Sequence, residues 1–326
     1  MHTIKLYFDD NYIPLFKNML YSAMLYKKES TNFNLVIGIS ESKSSNPNSP
    51  FSSNEGLTAE GRSQVSKFCE AIGANLTFEK IETSEPIFHS NDFRRNFAVM
   101  HHIPYASLVA RLIMMMNASE EFLYLDVDLI MQPGWDELLT IEPVEKKTAL
   151  MGVKNSMRIN LDQRANPDHP QFWVMSDETN TDDYFNTGVM KFFPKAWKSE
   201  ELSNKLILLL GRIESGELKV RFSDQDVLNP TVRNNFELLD KNFNVMVHTL
   251  SGDIVNTFAL LNKSHHPKIL HYTGNIKPNE FDEAYKDRVV HLIDHNCSHG
   301  FHDHAQNYFY IYFFIHNQRL LWERYN

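Results

Sequence analysis

Cysteine is almost missing from this chain: Cys69 and Cys297 are the two among 326 residues. So sparse and distant a pair excludes a disulfide framework. Positive charge is also short. Thirty-two Lys and Arg face 41 Asp and Glu, a formal net charge of −9. That balance leaves no excess for neutralising phosphates along a nucleic acid and argues against such a partner. The opening MHTIKLYFDD lacks the basic start and long apolar core of a secretory leader. The strongest apolar run, YFYIYFFI from Tyr308 to Ile315, is too short to span a bilayer. There is no internal repeat, no clear linker, and no Gly-rich phosphate loop after the first strand, which counts against a sugar nucleotidyltransferase. Together these absences predict an intracellular, cytoplasmic globular protein of ordinary composition.

What is present centres on Glu121 to Met131, EFLYLDVDLIM. A short apolar run of this kind predicts a buried central strand. Asp126 and Asp128 stand at its end with Val127 between them. Hard divalent cations such as Mn²⁺ or Mg²⁺ take oxygen ligands and share them with substrate phosphates. In open α/β sheets, ligands gather at the carboxyl ends of strands. A lone Asp-X-Asp also arises by chance where a strand simply reaches water, so the rest of the chain must decide.

Around that centre the pattern alternates. Ile4 to Phe8 predicts a strand, followed by a helix with Pro14 in its first turn and Leu15, Phe16, Met19, Leu20 and Ala23 at helical spacing. A strand from Asn34 to Ile39 follows, then a Ser/Asn/Pro-rich loop from Ser40 to Glu55. The next helix carries Val65, Phe68, Cys69 and Ile72, ends at Gly73, and leads to a strand from Leu76 to Ile81. Phe88 to His102 is expected to be a loop over a site. Tyr105 to Met116 reads as a helix that carries Arg111 and three methionines suited to core packing. Later strands are expected at Thr148–Val153, Tyr184–Phe193, Val245–His248 and Lys268–Tyr272. Between them Ser199 to Ser215 is an amphipathic helix ended by Gly216, and Ser223 to Asp226 has the Ser-x-x-acid form of a helix cap. The expected class is α/β, one Rossmann-like domain over residues 1–280 followed by a helical, His- and aromatic-rich extension over 281–326.

Six fragments stand in order across about residues 4 to 278: FDDNY, ARL at Ala110 to Leu112, LYLDVDLI, YFNTGV, SDQDVLN and LHYTGNIKP. In these the chain resembles the retaining glycosyltransferases of family 8, above all the bacterial galactosyl- and glucosyltransferases of lipooligosaccharide synthesis. The resemblance implies the GT-A fold and a nucleotide-diphosphate sugar as donor. It implies that Asp126, Asp128 and His271 hold a divalent metal, with Mn²⁺ suited better than Mg²⁺ because an imidazole is among the ligands. Asp9, Asn11 and Tyr12 would receive uracil and ribose. Gly274 and Lys277 would meet the diphosphate. Arg111, Asn186, Asp224 and Gln225 match positions around the donor sugar, and Thr187 matches the donor–acceptor boundary. Taken singly, Arg111 could be a surface charge, Asn186 a turn residue and Ser223 to Asp226 a cap.

Retention requires either a carboxylate nucleophile under the anomeric carbon or front-face attack. The matching position holds Gln225, a poor nucleophile, with Asp224 and Asp226 beside it as carboxylates. Front-face transfer is the favoured reading. Lys154-Asn155 stands where the family often has an acidic residue, which leaves galactose or glucose open. The segment from Asn155 to Asp183 is expected to cover the site and select the acceptor. Farther on, His291, His295, Cys297, His299, His302 and His304 are dense enough for zinc, but without its usual spacing. The aromatic tail from Asn307 to Tyr325 has few basic residues, and peripheral membrane contact, packing on the domain and a second subunit all stay open. The resulting expectation is an Mn²⁺-dependent transfer of hexose from a UDP-sugar to a hydroxyl of a saccharide or glycolipid. Two alternatives remain: a glycogenin-like self-glucosyltransferase, for which 13 tyrosines are available, and an inactive nucleotide-sugar binder.

Overall fold

Side chains on successive residues of a strand face opposite ways, and here both faces are apolar. In β1 (His2–Tyr7) and the residue after it, Ile4, Leu6 and Phe8 join one core cluster while Tyr7 joins another. In β4 (Phe122–Leu125), Leu123 and Leu125 face the first cluster, Phe122 and Tyr124 the second. A sheet buried on both sides needs helices on both sides, the layering of an α/β protein. The computed structural model describes all residues except 44, 53–54, 99–103, 156–183, 221, 247–266, 274–314 and 325–326.

The larger sheet also contains β2 (Phe33–Ile39), β3 (Asn75–Lys80), β6 (Leu150–Lys154), β7 (Phe185–Phe192) and β8 (Phe236–Leu238), in the order β3-β2-β1-β4-β7-β6-β8. β1 to β4 are parallel; β7 runs antiparallel to both β4 and β6. A three-stranded sheet joins β5 (Leu129–Met131), β10 (Ile269–His271) and β9 (Val245–Met246). The chain winds outward from β1 to β3 and then returns to place β4 on β1's other side. That reversal is a topological switch point, where the connections part and leave a crevice at the strand ends.

The helices form for local reasons. Pro14 lies in the first turn of α1 (Ile13–Tyr26), where a missing N–H costs nothing. Thr58 caps α2 (Ala59–Ile72) by accepting from Gly61 N, and Gly73 ends it at φ 72°. α1 and α2 pack in the first cluster, and α4 (Tyr105–Asn117) in the second, with Met114 and Met115 buried there. A helix over 315–324 lies against α1 and α2: Trp322 meets Tyr21 and Phe68, and Arg319 Nε donates to Asn18 Oδ1 at 2.6 Å. Among the described residues no helix is long and apolar enough to cross a membrane.

Four expectations need correction. The single strand from Glu121 to Met131 is two strands in two sheets, with Asp126-Val127-Asp128 as the link. Pairing changes there: Gly188 O accepts from Asp126 N, while Asp128 O accepts from Tyr272 N. Phe88 to His102 is not all loop. Pro86–His89 forms a 3-10 turn, and Ser90 caps α3 (Asn91–Phe97) by accepting from Phe93 N. The helix expected from Ser199 to Ser215 starts later, as α6 (Leu202–Glu214); Ser199 instead ends a separate α5 (Pro194–Ser199), with Glu201 between them at φ 53°. Finally, Ser223 does not cap α7 (Asp224–Thr231): its hydroxyl donates to Phe97 O at 2.7 Å. Its φ of 46° is in the left-handed region that costs a non-glycine residue strain.

One buried carboxylate holds the α1–β2 connection. Asp136 Oδ2 accepts from Lys28 N at 2.9 Å and Thr31 Oγ1 at 2.6 Å. Burial opposes its charge, but these donors outweigh burial and hold it below the ordinary 3.8. Asp136→Ala is expected to lower stability by about 1–3 kcal/mol, the cost of stranding such donors. A depressed carboxylate stabilises above its unfolded value and loses that effect as pH falls through its folded value. Urea unfolding should therefore separate wild type from variant at pH 7 and bring them together once the pH is well under 3.8.

Candidate active site

Every residue of the site hangs on a strand end or the helix beside it. At the end of β1, Asp9 is 9% exposed and accepts from Asn11 N at 2.9 Å, capping the 3-10 turn Asp10–Tyr12. Burial raises its carboxyl above the usual range, with the Asn11 contacts opposing. The turn leaves Asn11 exposed and rests the half-buried Tyr12 on the core. Across the switch point, β4 ends at Asp126.

Asp126, Asp128 and His271 each offer a ligand atom, all within 4.8 Å of one another. His271 arrives on β10, whose pairing puts it opposite Leu129, the residue after Asp128. Its Nε2 lies 3.3 Å from Asp128 Oδ1 and 3.8 Å from Asp126 Oδ2. Its Nδ1 lies 2.9 Å from Asn244 Oδ1. The ring is therefore held from behind while its other nitrogen faces two carboxylates. A divalent cation fits this donor set, and oxygen with imidazole nitrogen suits Mn²⁺.

Glycine is required beside these three side chains. A Cβ on Gly188 would fall 2.2 Å from His271 Cε1 and 2.9 Å from Asp126 Oδ2. The Gly188 N–H donates to Asn186 Oδ1 at 2.9 Å, and that oxygen also accepts from Asn244 Nδ2 at 2.9 Å. Asn186 Nδ2 in turn donates to Gln225 Oε1 at 3.0 Å, which also takes Thr187 N at 3.4 Å.

Arg111 anchors the other flank. Its side chain is 8% exposed; Nη2 donates to Asp126 Oδ1 at 3.0 Å and Nη1 to Thr187 O at 3.1 Å. Nη1 also lies 2.9 Å from Asp224 Oδ2, off the line of a hydrogen bond, so this contact is a charge pair. The guanidinium stacks over Tyr124, 4.8 Å from its ring centroid. Burial pushes the Asp224 carboxyl up to about 6, with Arg111 working against it. Three carboxylates around one guanidinium leave a surplus of negative charge, which a divalent cation offsets.

The network thus joins Arg111, Asp126, Asp128, Asn186, Thr187, Asp224, Gln225 and His271. Asp226 is 1% exposed and turned inward: Oδ1 accepts from Tyr184 at 2.6 Å, Oδ2 from Phe222 N at 2.8 Å. Asn155 is buried, its N–H donating to Tyr184 O at 2.8 Å. Gly274, Lys277, the cluster from His291 to His304 and nearly all of Asn155–Asp183 lie outside the described residues. Sequence reading missed Asn244 and Tyr184. Asn244 precedes a two-residue strand and carries no local signal. Gly188 had one, being a glycine inside a strand pattern.

An open sheet with metal-type ligands at its switch point is the GT-A architecture. The galactosyltransferase LgtC, solved with donor and acceptor sugar analogs, superposes with a TM-score of 0.59 at 18% identity, covering 91% of this chain and 97% of that one. The chain belongs to glycosyl transferase family 8, whose pattern it matches over residues 3–280. It is 25% identical over 166 residues to the lipopolysaccharide 1,2-glucosyltransferase of Escherichia coli, covering 49% of this chain and 44% of that protein. It is 26% identical over 197 residues to glycosyltransferase GlyB of Streptococcus pneumoniae serotype 4, covering 59% and 42% respectively. The matches span less than half the length of both relatives.

Gly188→Ala is expected to weaken Mn²⁺ binding by about tenfold or more while leaving the fold intact, because the new methyl displaces two ligands at once. Titration by Mn²⁺ electron paramagnetic resonance, with circular dichroism as the control for folding, checks this.

Proposed function

We propose that the chain is a retaining hexosyltransferase that moves galactose or glucose from a UDP-sugar to a hydroxyl of a saccharide or glycolipid. The observation that carries this reading is the Asp126/Asp128/His271 cluster at the switch point of a family 8 chain. When bound, Mn²⁺ would draw charge from the departing diphosphate oxygens. Asp126, Asp128 and His271 would hold it.

The other roles follow from position and chemistry. Asp9, Asn11 and Tyr12 stand at the end of β1, where a base and ribose would rest, and the Tyr12 ring offers a stacking face. Gly274 and Lys277 would meet the diphosphate, the lysine adding positive charge as the bond breaks. Arg111 Nε is buried without a hydrogen-bond partner among the described residues, a donor left over for a sugar hydroxyl. Asp224 and Asn186 flank the same space, and Thr187 marks its acceptor side.

Front-face transfer is the better supported route. The Gln225 amide oxygen already accepts from Asn186 and Thr187, and both Asp226 oxygens are engaged. Asp224 is 3% exposed and charge-paired to Arg111. A nucleophile under the anomeric carbon would have to break one of these attachments first. In the front-face route the leaving diphosphate accepts the acceptor's proton, and the protein supplies orientation and charge. The bacterial lipopolysaccharide relative supports a glycolipid or saccharide acceptor. The family match ends near residue 280, so the catalytic domain is taken as 1–280.

Release of UDP from a panel of UDP-sugars tests the reading. One of UDP-galactose and UDP-glucose is expected to hydrolyse slowly with Mn²⁺ and not with EDTA. Asp128→Ala should reduce release by about 100-fold or more, about 2.7 kcal/mol in barrier. Tight UDP binding without release from any sugar, with or without simple sugar acceptors, would overturn it.

A further inference from the structure

The hydrogen position on His271 can be read from a chain of contacts that begins at a backbone group. Gly188 N–H only donates, so the Asn186 atom 2.9 Å away is Oδ1. The Asn244 atom 2.9 Å from that oxygen must then be Nδ2. Asn244 therefore turns Oδ1 toward His271 Nδ1, 2.9 Å away. An amide oxygen only accepts, so Nδ1 carries hydrogen. In the neutral ring Nε2 is left with its lone pair, facing Asp126 and Asp128.

The chain continues the other way. Asn186 Nδ2 donates to Gln225 Oε1, which also accepts from Thr187 N. Every donor from the imidazole to Gln225 points the same way. Aligned donors polarise one another, so the run strengthens as a unit.

We propose that Asn244 is a positioning residue that fixes His271 as the Nδ1–H tautomer, and that Asn186 and Gln225 hold Asn244 in that orientation. In many metal sites a carboxylate takes the second N–H of the histidine directly; here an amide oxygen takes it. The inference rests on reading Asp126, Asp128 and His271 as a metal site. Its physical content is a competition. With hydrogen on Nε2, the ring would donate to Asp128 Oδ1 at 3.3 Å and could not ligate. The Asn244 oxygen draws the hydrogen to the far nitrogen and keeps the lone pair in place.

Two variants separate this role from packing. Asn244→Asp keeps an acceptor for Nδ1–H and loses the donor to Asn186. Asn244→Leu keeps the shape and loses both. Nitrogen-15 spectra of histidine-labelled, metal-free protein, with the signal assigned by its loss in His271→Asn, are expected to place hydrogen on Nδ1 in the wild type and Asn244→Asp. In Asn244→Leu the hydrogen moves to Nε2, and binding of Mn²⁺ alone weakens by about 10- to 100-fold. Asn244→Asp should bind close to wild type. Wild-type Nδ1 without hydrogen, or Asn244→Leu with unchanged Mn²⁺ affinity, overturns the proposal. Should Asn244→Leu fail to fold, the wild-type spectrum alone decides. Hydrogen on Nδ1 in a wild type that binds no Mn²⁺ would count against the metal reading and leave the tautomer standing.

Discussion

Carboxylates crowded at the end of a buried strand repel one another, and among the described residues Arg111 is the cation paired with them. The guanidinium reaches Asp126 on one side and Asp224 on the other, 3.0 and 2.9 Å away. Such a charge is costly to bury, and its loss would strand two acids in a medium of low dielectric. Arg111 therefore constrains where α4, β4 and the start of α7 can lie relative to one another. It comes from α4, Asp126 from the end of β4, and Asp224 from the first turn of α7. Its Nη1 also holds Thr187 O at the start of β7. Four elements spread between Tyr105 and Thr231 meet at one side chain.

The two-sheet arrangement has the same origin. Had the chain continued straight after Leu125, Asp126 and Asp128 would share one face of a single strand. Crossing instead into the smaller sheet gives Asp128 O to Tyr272 N and brings β10 alongside β5, so that His271 meets both carboxylates. The break in the strand is what turns a short sequence motif into a three-sided cage. Gly188 completes the geometry by leaving room where any Cβ would collide with the imidazole.

Periodicity made the outer parts of this molecule legible. Short apolar runs located the strands of the larger sheet except β8, whose three residues are half-buried or exposed, and Pro14 and Gly73 marked helix ends through local stereochemistry. The Asp126-Val127-Asp128 pair was legible because carboxylates in so apolar a run conflict with burial. Legibility failed where the deciding partner was remote. Ser223 looks like a cap until Phe97 O, 126 positions away, takes its hydroxyl. The strand from Glu121 to Met131 looks continuous until Gly188 and Tyr272 divide its pairing. Asn244 has no pattern at all; it matters only because His271 and Asn186 lie on either side of it.

The uncharged character of that surrounding layer is itself informative. Asn186, Asn244 and Gln225 bring amides, not acids, to the layer behind His271. Each amide satisfies its neighbours without adding charge, so the surplus negative charge stays with Asp126, Asp128 and Asp224. A carboxylate at position 225 would add a further acid while accepting from the same two donors. An amide there holds the start of β7 without that charge. The same choice supplies no carboxylate for double displacement, so one residue type at one position fits both the proposed cation and the proposed front-face route.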